Sequence, residues 1–271
     1  MAMWNELLKD RVAVISGSAM GMGRAAAVLF ARHGAKVLVA DVDDERGHDT
    51  MELIRQAGGD AAFAHCDVSN WADVRSMVEV ALREWGRIDV LYNNAAATRL
   101  CNEKDRAAHE LDEHVWDRQI DITLKGVYLC SKACVPTMLE HGRGVILNVS
   151  SCDAILPEGG FDSYTAAKGG VISLTKSMAV NYGKKGIRIN CISPGYVITD
   201  VQKKWFDDNP AAVKAVEGYH LTRRLGRPED VANMAVFLAS DLAEFITGAI
   251  IPVDGGYQMY KGSDAQRFCR D

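Results

Sequence analysis

Val12-Ala13-Val14-Ile15-Ser16-Gly17-Ser18-Ala19-Met20-Gly21-Met22-Gly23-Arg24 is the stretch that decides the fold. A short β-branched run ends in three glycines, and a stretch of helical composition follows from Arg24 to His33 before stopping at Gly34. Gly17, Gly21 and Gly23 therefore stand at a strand-to-helix junction. Glycine allows the tight turn there and lets backbone N–H groups approach a pyrophosphate. The helix N-terminus beyond adds partial positive charge. A glycine pattern alone is common. Between the first strand and the first helix of a βαβ unit it specifies a dinucleotide cradle.

Working outward, strand-length apolar runs alternate with stretches of helical period. Strands are expected at Lys36–Ala40, Ala61–His65, Asp89–Tyr92, Val145–Val149, Arg188–Ile192 and Ala249–Val253. Helices are expected at Glu45–Ala57, Ala72–Trp85, Val115–Leu139, Tyr164–Tyr182 and Glu229–Ser240. The strands are continuously apolar, which implies burial on both faces and a parallel sheet covered by helices. Right-handed crossovers then give a doubly wound α/β fold of about seven strands. No linker or repeat divides the chain, so residues 1–271 read as one domain. Two excursions, 97–114 and 199–227, are irregular and fall where such sheets bind ligands. A C-terminal tail runs from 258 to 271.

The 271 residues carry a net charge of −5 and no Lys/Arg stripe, which argues against nucleic acid as a partner. No apolar run reaches membrane-spanning length, and Met1–Asp10 lacks a signal pattern, so a cytoplasmic protein is expected. Seven scattered cysteines without Cys-x-x-Cys fit neither a disulfide framework nor a zinc site. His109 and His114 are five apart and do not share a helix face, so no metal is expected.

Asp41 ends the second strand, eighteen positions after Gly23. A carboxylate there accepts hydrogen bonds from an adenosine ribose and repels a 2′-phosphate. No arginine stands beside it and Met20 is not basic, which favours NAD over NADP. Asp67-Val68 ends the third strand; Asp67 either reaches the adenine amine or caps the helix near Ala72. Asn93-Asn94-Ala95-Ala96 ends the fourth, with small residues and amides that permit close cofactor approach. Further on, Tyr164 and Lys168 stand four apart, one turn apart on one helix face. An adjacent ammonium favours the charged form of a phenol, lowering it from its usual ~10. A phenol so tuned exchanges a proton with an alcohol or carbonyl near neutral pH. Ser151 lies thirteen positions upstream.

Taken in this order, Gly17/Gly21/Gly23, Asp41, Asn93-Asn94-Ala95, Ser151/Tyr164/Lys168 and Pro194-Gly195 with Thr199 resemble the short-chain dehydrogenase/reductase family, from Asp10 to Tyr257. Arg224-Leu225-Gly226-Arg227-Pro228-Glu229-Asp230 and Asp254-Gly255-Gly256 resemble it too. The resemblance implies a one-domain Rossmann fold, usually a homotetramer or homodimer. It implies Tyr164 as acid/base, Lys168 lowering its pKa and bonding the nicotinamide ribose, and Ser151 holding the substrate oxygen. Pro194, Gly195 and Thr199 would line the nicotinamide. The full set of cofactor contacts so implied is Gly17, Ser18, Met20, Gly21, Met22, Gly23, Asp41, Val42, Asp67, Val68, Asn94, Ala95, Tyr164, Lys168, Pro194, Gly195, Val197 and Thr199.

Two departures stand out. Ala96 replaces the family's usual glycine. On the helix starting near Trp116, Thr123 takes the place of an asparagine that supports a water chain to the active lysine. A hydroxyl lacks the amide's two donors, which puts the proton relay in question rather than the hydride step. The expected activity is NAD-dependent interconversion of a secondary alcohol and a ketone. Pocket walls are expected from Cys152, Asp153, Ile155, Glu158, Phe161, Tyr196, Trp205 and Phe206, with Asp153 and Tyr196 contacting substrate alongside Ser151 and Tyr164. Acids beside apolar groups favour a small neutral polar substrate such as a sugar, polyol or cyclic diol, and Arg99 instead suits an anion; Asp153, Glu158 and Arg99 read equally well as surface charges. The alternatives are an NAD-binding sensor or scaffold, and lyase or epimerase chemistry on the same fold.

Overall fold

The computed structural model describes residues 6–259. Seven parallel strands form one sheet in the order β3-β2-β1-β4-β5-β6-β7. They are β1 (Val12–Ser16), β2 (Lys36–Asp41), β3 (Asp60–His65), β4 (Val90–Asn93), β5 (Gly144–Val149), β6 (Ile187–Pro194) and β7 (Ile250–Val253). Alternation of side chains splits each strand between two cores. Ala13, Ile15, Val37, Val39, Tyr92 and Leu147 point to one face, where they meet α1 (Gly21–Arg32), α2 (Asp44–Gln56) and α10 (Pro228–Ala239). Val14, Leu38, Leu91 and Ile146 point to the other, against α3 (Trp71–Trp85), α6 (Gly126–Glu140) and α7 (Asp162–Tyr182). Both faces are apolar, as the unbroken strand runs require.

The strand order reverses between β1 and β4. Chains of this topology open a crevice at that switch point, outside the carboxyl ends of the strands. The glycine loop after β1 and Asn93-Asn94 at the end of β4 both stand there.

Three segments differ from their expected form. The long helix expected from Val115 to Leu139 is α5 (Glu113–Ile120) running into α6 through a π-turn at Asp121–Lys125. Such turns interrupt the i→i−4 ladder and recur at functional positions. The excursion 97–114 holds a helix, α4 (Thr98–Lys104), and the excursion 199–227 holds two, α8 (Asp200–Asp208) and α9 (Pro210–Tyr219). Their polar, charged composition hid a helical period. Of the tail expected from 258 to 271, the described residues include only Gln258 and Met259; the remainder lies outside them, as does Cys269.

Candidate active site

The cradle is built by steric necessity. Gly17 adopts φ +64°, and a Cβ there would stand 2.7 Å from the Ala95 backbone. A Cβ on Gly23 would stand 2.0 Å from the Gly17 carbonyl oxygen. The Asn94 amide donates to that same carbonyl at 2.8 Å, locking the loop to the end of β4, while its buried Oδ1 has no protein partner. α1 opens on Met20 with no side-chain cap and no acid in its first turn, so its N–H groups and partial positive charge face the crevice. Met22 turns onto the core. The Ser18 side chain is used within the sheet. Its hydroxyl is wholly buried, donates to the Ile15 carbonyl at 2.7 Å and accepts from Ala40 N–H at 3.0 Å, so it ties β1 to β2.

Asp41 ends β2 with one oxygen accepting from Ala19 N–H at 2.9 Å and the other from Asp43 N–H at 3.1 Å. These bonds fix the carboxylate against the glycine loop. Val42 beside it is exposed, and Val68 is buried against Gly126. Asp67 does not cap α3; Asn70 does, accepting from Ala72 N–H at 2.9 Å. Asp67 instead accepts from the Ser69 hydroxyl at 2.6 Å and faces Arg118 at 3.7 Å. Burial pushes its carboxyl up, but the Ser69 bonds and the Arg118 guanidinium outweigh that and hold it below the usual range. On the far side of the crevice, Thr199 packs over the glycine loop, its methyl 3.3 Å from the position a Gly21 Cβ would take. Gly195 lies so close to Asp254 that a Cβ would stand 2.9 Å from its Cα, and Val197 is buried in a bridge to Gly226.

Ser151, Tyr164 and Lys168 converge at the ends of β5 and α7. Lys168 is 2% exposed, donates to the Val149 carbonyl at 2.7 Å, and its ammonium lies 5.7 Å from the centre of the Tyr164 ring. Burial lowers Lys168 to about 8. The Tyr164 phenol differs from the sequence expectation. Burial, and then the charge of Asp153, push it up, and the hydrogen bond with Ser151 opposes them only in part. In the protein alone, desolvation outweighs the neighbouring cation. Ser151 caps the short turn Cys152–Ala154, accepting from Asp153 N–H and donating to an Asp153 carboxylate oxygen, each at 3.2 Å.

Asp153, bonded to Ser151, and Tyr196, bonded to Glu158, belong to an acidic cluster. Burial, then the charge of Glu158, raise Asp153 to about 6. Tyr196 donates its hydroxyl to Glu158, and Tyr257 approaches the same oxygen at 3.5 Å. Phe206 is buried against Trp205, which remains exposed. Arg99 is not offered to an anion: it pairs with Glu103 at 2.8 Å on the exposed face of α4.

Thr123 sits fully buried in the π-turn. Its hydroxyl accepts from Ala97 N–H at 3.2 Å and from the Gln119 amide at 3.0 Å. Gln119, one turn earlier and also buried, was not singled out by sequence; its partner Oε1 is unpaired. Also missed was a buried chain beneath the site, in which Asn93 donates to Asn148 at 2.8 Å and Asn148 to Thr175 at 2.9 Å. Asn148 lies in a run of apolar strand residues, and that break in hydropathy was the available signal.

A family model described as enoyl-(acyl carrier protein) reductase matches residues 17–258. The cis-4-hydroxycyclohexanecarboxylate dehydrogenase of Sinomonas cyclohexanicum is 42% identical over 93% of this chain and 98% of its own. The chain belongs to the short-chain dehydrogenase/reductase family. Cyclopentanol dehydrogenase of a Comamonas species is 36% identical over 92% of this chain and 98% of its own. The crystal structure of gox2181 superposes with a TM-score of 0.89 at 30% identity, covering 96% of this chain and 100% of that one. A putative gluconate dehydrogenase from Agrobacterium tumefaciens gives 0.86 at 32% identity, covering 94% and 98%. As a short-chain dehydrogenase/reductase, the protein is an oxidoreductase of CH–OH groups, of a kind that generally uses a nicotinamide cofactor. None of the described helices is long and apolar enough to cross a membrane.

Proposed function

We propose that this short-chain dehydrogenase/reductase is NAD-dependent and interconverts a secondary alcohol and a ketone on a small, neutral, polar molecule such as a sugar, polyol or cyclic diol. The observation that carries the proposal is the convergence of Ser151, Tyr164 and Lys168 at the strand ends that also bear the glycine cradle and Asp41. The residues fit a dinucleotide: an uncapped helix N-terminus, glycines that leave backbone room, and the orphaned Asn94 Oδ1 line one crevice. Asp41 would take the ribose hydroxyls, which favours NAD over its 2′-phosphorylated form. When bound, the nicotinamide supplies the acceptor for the electron pair leaving the carbinol carbon.

The remaining work falls to the chain. Ser151 holds the substrate oxygen. Tyr164, as phenolate, takes the hydroxyl proton. Lys168 stabilises that phenolate against the burial that otherwise disfavours it. Positioned acid–base catalysis of this kind contributes about 10²–10⁴ in rate. The Thr123 hydroxyl accepts from Ala97 N–H and from the Gln119 amide, which supports a pinned π-turn despite the missing asparagine.

The carboxylates of Asp153 and Glu158 support a substrate that offers hydroxyl donors rather than negative charge. Relatives named for cyclopentanol and for a hydroxycyclohexane acid support a ring alcohol; the two acids here favour the uncharged kind. A cytoplasmic homotetramer or homodimer belongs to the same proposal, and sedimentation tests the assembly. The functional test follows absorbance of reduced cofactor at saturating NAD+ or NADP+ with cyclic diols, polyols and hydroxy acids. Turnover with NAD+ and a neutral diol or polyol is expected. Binding without turnover favours a sensor, and product without reduced cofactor favours a lyase or epimerase.

A further inference from the structure

α7, the helix that carries Tyr164, starts without a cap of its own. Phe161 stands at the N-cap and offers no side-chain bond. The N–H groups of Ser163 and Tyr164 belong to the first turn and have no partner within the helix. Asp105, just past the end of α4, supplies one. Its Oδ2 accepts from Tyr164 N–H at 2.9 Å and from the Ser163 hydroxyl at 2.8 Å. Its Oδ1 accepts from Ser163 N–H at 3.3 Å and from Arg106 N–H at 3.0 Å.

The carboxylate is 2% exposed. Among the described residues no ammonium or guanidinium pairs with it; the Arg106 guanidinium goes to the Asp105 backbone carbonyl instead. Four N–H and O–H donors and the helix N-terminus hold the negative charge in place. A buried carboxylate needs every one of these donors to be tolerated, whereas a local serine cap would satisfy the same N–H groups without burying a carboxylate. Capping alone is therefore a weak reason for this arrangement.

The arrangement is also reciprocal. Asp162, the first residue of α7, accepts from Ala108 N–H at 2.8 Å. The upstream end of the same segment is fastened by Ala97 N–H to Thr123 at 3.2 Å. Segment 97–108 is thus tied at one end to the π-turn and at the other to the turn bearing Tyr164. Cys101, buried in the middle of that segment, lies within electrostatic reach of Tyr164, Lys168 and Asp153.

We infer that Asp105 is a positioning residue for Tyr164: it fixes the first turn of α7 so that the phenol stands by Lys168 and Ser151, and it makes segment 97–108 part of that placement. The inference rests on Tyr164 acting as the acid/base. The test uses the full chain with bound NAD+ and three variants, Asp105→Ala, Asp105→Asn and Asp105→Ser. Two readouts are followed: the pH profile of kcat, and the tyrosinate difference absorbance against Tyr164→Phe, which needs no turnover.

Asp105→Ala is expected to lower kcat about 30- to 100-fold, because small misplacements of a reacting group are that costly, with KM for NAD+ within about twofold. As the phenol leaves Lys168, the acid limb of kcat and the tyrosinate titration both move up by roughly one pH unit. Asp105→Asn keeps one oxygen for Tyr164 N–H and should retain activity within about fivefold. If the alanine variant does not fold, Asp105→Ser is compared with Asn in the same assays, and the same ordering is expected. Wild-type kcat and wild-type tyrosinate titration in a folded Ala or Ser variant would overturn the inference. So would a loss of kcat wholly matched by fewer NADH-binding sites. If the wild type turns over no alcohol, the dehydrogenase proposal fails on its own, and the tyrosinate titration still decides the role of Asp105.

Discussion

The proposed cofactor cradle and the proposed substrate wall are held in different ways. The cradle is a backbone object. Gly17 and Gly23 are fixed by contacts that no side chain could share, and Asp41 and Asn94 lock the loop through backbone atoms within it. The substrate wall is a side-chain object assembled over long sequence distances. Asp105 reaches α7 across 59 positions, and Glu158 meets Tyr196 across 38 and Tyr257 across 99. The cradle therefore tolerates little substitution and is common to many substrates, while the wall can be rebuilt residue by residue around one of them.

The largest effect should come from the wall side of this divide. Tyr164→Phe removes the proton acceptor and should cut kcat by about 10³-fold or more, with NADH affinity, read by fluorescence, changed less than about threefold. A similar fall in affinity and rate together would mean that the phenol supports the cradle rather than the chemistry. On the cradle side, Gly23→Ala drives a Cβ into the Gly17 carbonyl. NADH affinity should drop by about 100-fold or more as the loop is forced open, measured by calorimetry beside a melting curve. Asp41→Ala should narrow the preference for NAD+ over NADP+ by roughly 10- to 100-fold, compared as kcat/KM for the two cofactors.

The legibility of the two regions differs for the same physical reason. Glycine between a strand and a helix states a backbone requirement, so the cradle could be placed from Gly17, Gly21 and Gly23 in their strand-to-helix context. The Tyr164-x-x-x-Lys168 spacing likewise implied a shared helix face. Asp105 could not be placed this way, because an acid in a charged excursion reads as surface until its partner 59 positions away is known. The phenol's pKa was misjudged because spacing reveals the Lys168 charge and not the depth of burial.

Smaller effects sharpen the contrast further. Thr123→Ala leaves Ala97 N–H and the Gln119 amide without their acceptor. A stability loss of about 1–3 kcal/mol is expected, read by chemical denaturation. Asp153 gives the smallest and most pH-dependent effect. Its folded value of about 6 lies above its ordinary value of 3.8, so the ionised form is penalised on folding. Stability from this group is greatest below pH ~4, falls as pH rises to about 6, and stays low above that. Asp153→Asn should therefore raise stability by about 1–2 kcal/mol at pH 8 and by nothing at pH 4. A gain at both pH values would assign the effect to packing instead of charge.

The central claim is that Ser151, Tyr164 and Lys168 process a secondary alcohol beside a bound nicotinamide. It is tested most directly with a cyclic diol deuterated at the carbinol carbon, incubated with the enzyme and NAD+ and analysed by mass spectrometry of both products. The account predicts one deuterium recovered in the reduced dinucleotide for every ketone formed, and neither product with Tyr164→Phe. Ketone formed with the label lost to solvent, or label transfer undiminished in Tyr164→Phe, would contradict it.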